Sequence, residues 1–319
     1  MEENFYFEHG LDLHRAFAGA EVRNLRLVQE RFGVGIAARD GGVTISGNAE
    51  SVTSARRFLE ELAAFFRVRG NDLEQRDFEL ILKSVSRQPG ESLQELWREE
   101  ITVSPHKRPV FPRSGKQLHY VRAMREKDII FGIGPAGTGK TYLAMAMAVS
   151  QFLSGECSRI VLTRPARESG ENLGFLPGNL EDKIMPYLRP LYDALYDMLP
   201  MAEASELISR GVIEIAPLAF MRGRTLGNAF VILDEAQNTT PEQMLMFLTR
   251  MGFRTRCVIT GDPMQSDLGP RERSGLLQAE KTLGGIPEIA FCRFNTGDVV
   301  RNALLEKIIH AFSGEENNA

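Results

Sequence analysis

The chain has 319 residues, 43% of them hydrophobic and 25% charged, with a formal net charge of −4 and a pI near 5.9. Those values suit a folded chain of about two domains and exclude a globally basic nucleic-acid surface, leaving local clusters such as Arg67-Val-Arg69 or His106-Lys107-Arg108. No apolar run is long enough to cross a bilayer, the acidic opening MEENFYFEHG lacks a signal-peptide layout, and Cys157, Cys257 and Cys292 are too scattered for a disulfide framework or zinc site; a cytoplasmic protein with no membrane partner is expected.

Residues 4–7 (NFYF) read as an opening strand, and Val22, Leu25, Leu27, Val28 and Phe32 recur at helical spacing up to Gly33. Two short apolar runs, Val34 to Ala38 and Val43 with Ile45, flank Asp40-Gly41-Gly42, which predicts a hairpin. Val52, Ala55, Phe58, Leu59 and Leu62 predict a helix from about Ala49. Residues 1–70 are therefore expected to form a small α/β domain. The run RLVQERFGVGIAARDGGVTISGNAESVTSARRFLEEL resembles a K-homology (KH) RNA-binding fold. A KH domain grips nucleic-acid backbone with a G-x-x-G loop between two helices. Here that place reads Gly19-Ala20-Glu21-Val22, with valine for the second glycine and an acid inside the loop. RNA binding and a role in packing or protein contact both stay open for this domain.

Residues 71–110 read as a helical segment and linker. Leu73, Phe78, Ile81, Leu82 and Val85 precede the Gln88-Pro89-Gly90 break, and Leu93, Leu96 and Trp97 follow it. TVSPHKRPVFPRSGK (102–116) then leads, with room for an edge strand, into a domain expected over 111–319.

That domain is organised around DIIFGIGPAGTGKTYLAMAMAVS (128–150). An apolar run meets Gly134-Pro135-Ala136-Gly137-Thr138-Gly139-Lys140-Thr141, and an Ala/Met-rich helical pattern follows. This is the strand–loop–helix context that the G-x-x-x-x-G-K-[ST] pattern needs. Glycines let successive N–H groups face phosphate oxygens, and the helix start adds its positive end. Lys140 suits the β- and γ-phosphates, and the Thr141 hydroxyl suits Mg²⁺. Strand candidates Ile160–Thr163, Val212–Ile215, Phe230–Leu233, Cys257–Thr260 and Glu288–Phe291 then alternate with helical stretches. The rhythm predicts a mostly parallel sheet covered on both faces, with ligands at the carboxyl ends of its strands.

Three further groups carry chemistry. Phe230-Val-Ile-Leu233 ends in Asp234-Glu235, a Walker B arrangement in which Asp234 serves the Mg²⁺ shell and Glu235 orients or deprotonates the attacking water. Cys257-Val-Ile-Thr260-Gly261 ends in Asp262 and Gln265; beside the loop strand, Gln265 would meet the γ-phosphate or the water. Gln117, in Gly115-Lys116-Gln117, has the donors and acceptor to pair with adenine but not guanine in one pose, and the second domain has no guanine-reading N-K-x-D. ATP is therefore the expected nucleotide. Among arginines near these motifs (Arg164, Arg222, Arg224, Arg301), Arg301 ranks first as a phosphate-sensing residue.

Gly115-x-Gln117, the GPAGTGKT loop, LTRPARESGENLGFLPG (162–178), MRGRTLGNAFVILDEAQNTTPEQMLMFLTRMG (221–252), ITGD with Gln265, and DVVRN (298–302) together resemble the PhoH-like family of bacterial ATP-binding proteins over about residues 111–312. Lys116 stands where Asn is usual, Pro263 and Met264 vary inside the third motif, and Asn302 stands where His is common. The resemblance implies a cytoplasmic P-loop ATPase with a RecA or helicase-superfamily-1-like core, using ATP and Mg²⁺ in RNA metabolism or ribosome maturation. It further implies a homo-oligomeric ring (a hexamer is the size expected), single-stranded RNA as substrate, and a metal-dependent endoribonuclease as partner. All the motifs fit one nucleotide-binding core, so a monomer has no second core with which to clamp a strand. The alternatives are a nucleotide-switched adaptor that recruits a nuclease or ribosomal particle, and a small-molecule kinase, which the paired acids disfavour.

Overall fold

The computed structural model describes residues 1–7, 23–39, 42–70, 73–87, 93–165, 180–269 and 271–299. Of the features singled out in the sequence, the Gly19–Val22 loop, Asp40-Gly41, the Gln88-Pro89-Gly90 break, residues 166–178, Arg301 and Asn302 lie outside the described residues. The chain forms two compact units, Met1–Glu99 and Glu100–Ala319.

In the first unit, β1 (Glu2–Tyr6), β2 (Gly35–Arg39) and β3 (Gly42–Ser46) make an antiparallel sheet in the order β1-β3-β2. Arg39 pairs with Gly42, so the β2–β3 hairpin closes over two residues, the length an Asp-Gly signal favours. Helix α1 spans Arg23–Phe32 and α2 spans Ala49–Arg69. The Asn48 side chain caps α2 by accepting the Ser51 N–H at 2.8 Å, a contact typically worth about 1 kcal/mol. The stripe of α2 read from the sequence (Val52, Ala55, Phe58, Leu59, Leu62) is fully buried. Helices α3 (Gln75–Arg87) and α4 (Gln94–Arg98) pack on it. Phe58 meets Phe78 edge-on at 5.2 Å between ring centres, and Phe65 meets Trp97 at 5.3 Å. These contacts put both helices in the core of the first unit.

The second unit opens with α5 (Gly115–Glu126), β4 (Ile129–Ile133), α6 (Lys140–Leu153) and β5 (Arg159–Arg164). It continues through α7 (Leu180–Met198), α8 (Met201–Ser209), β6 (Ile213–Pro217), β7 (Ala229–Leu233), α9 (Pro241–Leu248), β8 (Arg256–Gly261), α10 (Gly275–Leu283) and β9 (Ile289–Arg293). Six strands form one sheet in the order β6-β5-β7-β8-β4-β9, and every pair is parallel. In place of an edge strand in the linker, Ile101 and Val110 make a single antiparallel bridge.

Alternation sends successive residues of each strand to opposite faces. Ile130, Leu162, Ile232 and Val258 pack with Leu143 and Met147 of α6 and Leu191 of α7. Phe131, Val161, Val231 and Ile259 pack on the other face with Met244, Phe247 and Leu276. Both faces are covered, which is why the strands read as continuous apolar runs.

Register then positions the site. Leu233 pairs with Thr163 on one side and Ile259 on the other. One residue further on, Arg164, Asp234 and Thr260 therefore form a row across the carboxyl ends of β5, β7 and β8, on the α6 side. Ile133, the last residue of β4, pairs with Gly261, so the glycine loop begins beside that row.

Candidate functional site

The loop leaves β4 through Gly134 at φ +148°, where a Cβ would lie 2.5 Å from the Phe294 carbonyl oxygen. It enters α6 through Gly139 in the left-handed region (φ 80°), where a Cβ would lie 3.0 Å from Gln117 Nε2. Only glycine fits both positions without strain. Gln117 is 3% exposed. Its Oε1 accepts the Arg113 N–H at 2.7 Å, and its Nε2 donates to the Thr138 carbonyl at 2.9 Å. Helix α5, capped by Ser114, thus braces the loop from behind. These bonds use one of the two amide hydrogens and one of the two acceptor lone pairs of Gln117.

Lys140 is 8% exposed. Its ammonium donates to the carbonyls of Gly134 and Pro135, both at 2.7 Å, and to Thr138 Oγ1 at 3.3 Å. Burial lowers its pKa, opposed by the charges of Asp262, Asp234 and Glu235. In the first turn of α6, the Thr141 hydroxyl donates to Asp234 Oδ1 at 2.7 Å. The Thr260 hydroxyl donates to the same oxygen at 2.7 Å, and the two hydroxyl oxygens are 3.4 Å apart.

Glu235 follows with φ 53° and ψ 41°, a left-handed backbone that is costly for a residue carrying a Cβ. Its Oε2 accepts from Gln237 Nε2, and its Oε1 lies 3.4 Å from Arg164 Nη2. Gln237 is the hub between the second and third strand ends. Its Nε2 also donates to the Gln265 carbonyl at 3.2 Å, and its Oε1 accepts the Asp262 N–H at 3.0 Å. Asp262 closes the circuit by accepting the Ala136 N–H of the glycine loop at 3.3 Å.

A cavity of about 260 Å³ opens here, lined by Ala136, Gly137, Gly139, Lys140 and Thr141 with Asp234, Glu235, Asp262 and Gln265. Gly134, Pro135 and Thr138 turn toward the Lys140 ammonium, and Gln117 stands behind the loop. Of the arginines, Arg164 faces the site, whereas Arg224 is bound to Glu214 (Nη2 to Oε2, 2.6 Å) and Arg222 is exposed. Thr260 and Gln237 belong to the site without a motif to mark their roles. Strand alternation puts Thr260 on the same face as Val258, and Gln237 is the last residue of the DEAQ run. Among the described residues, no group of three or more His, Cys, Asp or Glu forms a metal cluster, and no helix is long and apolar enough to cross a membrane.

A glycine loop between an inner parallel strand and a helix, with its lysine and threonine facing an acid two strands away, defines a nucleotide-binding domain of the P-loop class. The family described as PhoH-like protein matches residues 109–313. The chain is 47% identical over 288 residues to a PhoH-like protein of Bacillus subtilis, covering 90% of each. It is 41% identical over 304 residues to a PhoH-like protein of Synechocystis, covering 95% of this chain and 92% of that one. With Protein PhoH of Escherichia coli the match is 42% over 207 residues, 64% of this chain and 58% of the other. The chain belongs to the PhoH-like family. Among solved structures, the Sulfolobus solfataricus SWI2/SNF2 ATPase core in complex with dsDNA aligns with 60% of this chain and 44% of that one, at 13% identity and a TM-score of 0.35, too loosely to bear on function.

Proposed function

We propose that the chain is a Mg²⁺-dependent ATPase that works on RNA as a homo-oligomeric ring. The observation that carries the hydrolase reading is the meeting of Thr141 and Asp234 at 2.7 Å in the cavity that Glu235 also lines. The donor set fits the ion. Two hydroxyls and one carboxylate are all oxygen, the kind of partial set that holds Mg²⁺ together with phosphate oxygens and water. Asp234, Thr141 and Thr260 would hold the ion, and its chemistry there would be to offset negative charge on the triphosphate.

The chain's own groups do the rest. Lys140 exchanges its loop carbonyls for β- and γ-phosphate oxygens, and the loop N–H groups face the same phosphates. Glu235 takes a proton from water as the water oxygen bonds to the γ-phosphorus. The bond to the β–γ bridging oxygen breaks, leaving ADP and inorganic phosphate. Gln265, at the mouth of the cavity, contacts the γ-phosphate or the water. Gln117 offers the remaining hydrogen and lone pair of its amide to adenine. Arg301, from the same or a neighbouring protomer, senses the γ-phosphate.

One nucleotide core per chain supports assembly, because a strand gripped between cores needs more than one copy; a hexamer is the size we propose. The resemblance of the first unit to a KH fold supports single-stranded RNA as substrate, and the family reading supports a cytoplasmic role with a metal-dependent endoribonuclease in ribosome maturation. The test is the ATPase rate with and without single-stranded RNA, across protein concentration. A rise with RNA and with concentration is expected. Turnover independent of concentration would remove the ring, and stimulation by a protein partner alone would point to the adaptor.

A further inference from the structure

We propose that Arg164 is a positioning residue: bonded to Glu235 on one side and to helix α7 on the other, it sets where the Glu235 carboxylate points. The inference deepens the ATPase reading and rests on it for its kinetic consequence.

Arg164 ends β5 in the same row as Asp234 and Thr260, on the α6 face, yet it does not line the nucleotide cavity. Its guanidinium reaches past that row instead. Nη2 lies 3.4 Å from Glu235 Oε1, and Nη1 donates to the Tyr187 carbonyl at 3.3 Å. Tyr187 sits in α7 between Pro186 and Pro190. A backbone carbonyl has two lone pairs, so the Tyr187 carbonyl can accept from Arg164 beside its helical partner. The far end of Arg164 is thus anchored in an element other than its own strand.

Glu235 needs outside support. Its left-handed backbone persists only where the surroundings over-determine it, and its flexible side chain has no fixed direction of its own. Gln237 holds one carboxylate oxygen and Arg164 the other. The two side chains of the ion pair are 20% and 34% exposed. At that exposure solvent screening keeps the pairing energy small, so the consequence is one of direction. The residue type agrees: a planar guanidinium serves two acceptors in two elements at once, where a lysine ammonium acts as a flexible point charge.

The test compares Arg164→Ala and Arg164→Lys with wild type, each also in a Glu235→Gln background, by steady-state ATPase kinetics and by crystal structures with a non-hydrolysable ATP analogue. Arg164→Ala should lower kcat at least about tenfold with KM for ATP within about twofold, because the phosphate-gripping groups are untouched. Arg164→Lys should recover part of the loss. In the Glu235→Gln background Arg164→Ala should cost nothing further, since residues acting as a unit are not additive. In the Arg164→Ala crystal the Glu235 carboxylate should leave its place while Lys140, Thr141 and Asp234 keep theirs. An unchanged or raised kcat, a loss confined to KM, or an unmoved Glu235 carboxylate overturns the inference. A wild-type chain that releases no phosphate from ATP overturns the ATPase reading instead, and the crystals still decide whether Arg164 directs Glu235.

Discussion

Thr141 and Asp234, 93 positions apart in the chain, meet through a 2.7 Å hydrogen bond from the threonine hydroxyl to the carboxylate. The first turn of α6 is thereby tied to the end of β7 across the intervening strand β8, whose Thr260 donates to the same oxygen. Asp234→Asn keeps the shape and removes the charge. ATP should bind wild type more tightly with Mg²⁺ than without, and the variant should lose about 10- to 100-fold of that gain, matching the roughly 1.5–3 kcal/mol of a charge-assisted contact. Calorimetric titration with and without Mg²⁺ checks it; an unchanged Mg²⁺ gain would remove Asp234 from the ion's site.

Lys140 holds its own loop through three acceptors, and on the proposed reading it gives them up for phosphate oxygens when ATP binds. Lys140→Ala should weaken ATP binding by roughly 10- to 100-fold on the same energetic grounds. It should also raise amide hydrogen exchange across residues 134–139 in the nucleotide-free chain, because the loop loses its internal tie. Binding lost with exchange unchanged would mean that the lysine acts on the ligand alone.

Glu235→Gln retains the side chain's size and most of its contacts but cannot take a proton. ATP should stay bound while turnover falls about 10²- to 10⁴-fold, the usual contribution of a general base. Single-turnover phosphate release measures it, and a wild-type rate would assign the base elsewhere.

Glu214 and Arg224 give a pH-dependent stability prediction away from the site. The Arg224 hydrogen bonds hold the Glu214 carboxyl below its usual pKa of 4.5, opposed by burial. A depressed folded value means that the carboxylate stabilises the fold above about pH 4.5, and that this contribution fades as pH falls through the folded value. Both side chains are 32% exposed, so the discounted contribution is about 1 kcal/mol. Glu214→Gln should lower the urea midpoint near neutral pH and leave it unchanged in acid below the folded pKa. Equal losses at both pH values would show that packing, not charge, is what the variant removes.

The three cysteines should be silent in the native chain. All are buried, and burial raises each thiol pKa: Cys157 above its ordinary 9.0, Cys292 to about 11 and Cys257 further still. The thiolate is the reactive form. A thiol reagent near neutral pH should leave the folded protein unmodified and add three labels after denaturation, counted by mass. Rapid native labelling would show that the sheet opens around β8 or β9, or at the start of β5 beside Cys157.

Much of this was legible in the sequence because its signals are local. The glycine loop carries its flanking strand and helix in one uninterrupted run, and β7 announces itself by four apolar residues before two acids. Strand ends differ from expectation by one or two residues, as at β6, which runs Ile213–Pro217, because a ladder ends where the neighbour's hydrogen bonds end. Side-chain partnership across the sheet was not legible. Nothing in the stretch around Gln237 says that its amide joins Glu235 to Asp262, because that contact exists only once β8 lies between β4 and β7. Nor does any motif say that Arg164 meets Glu235, a contact that the β5–β7 register makes; Arg301 lies outside the described residues.

The left-handed backbone at Glu235 has an evolutionary corollary. Glycine would occupy that torsion freely, relieving a cost of about 1–2 kcal/mol, so Glu235→Gly should make the chain melt at a higher temperature while abolishing the carboxylate. With the role proposed above for Glu235, robustness and turnover would pull this one position in opposite directions, and the acid there would mark a trade of durability for chemistry.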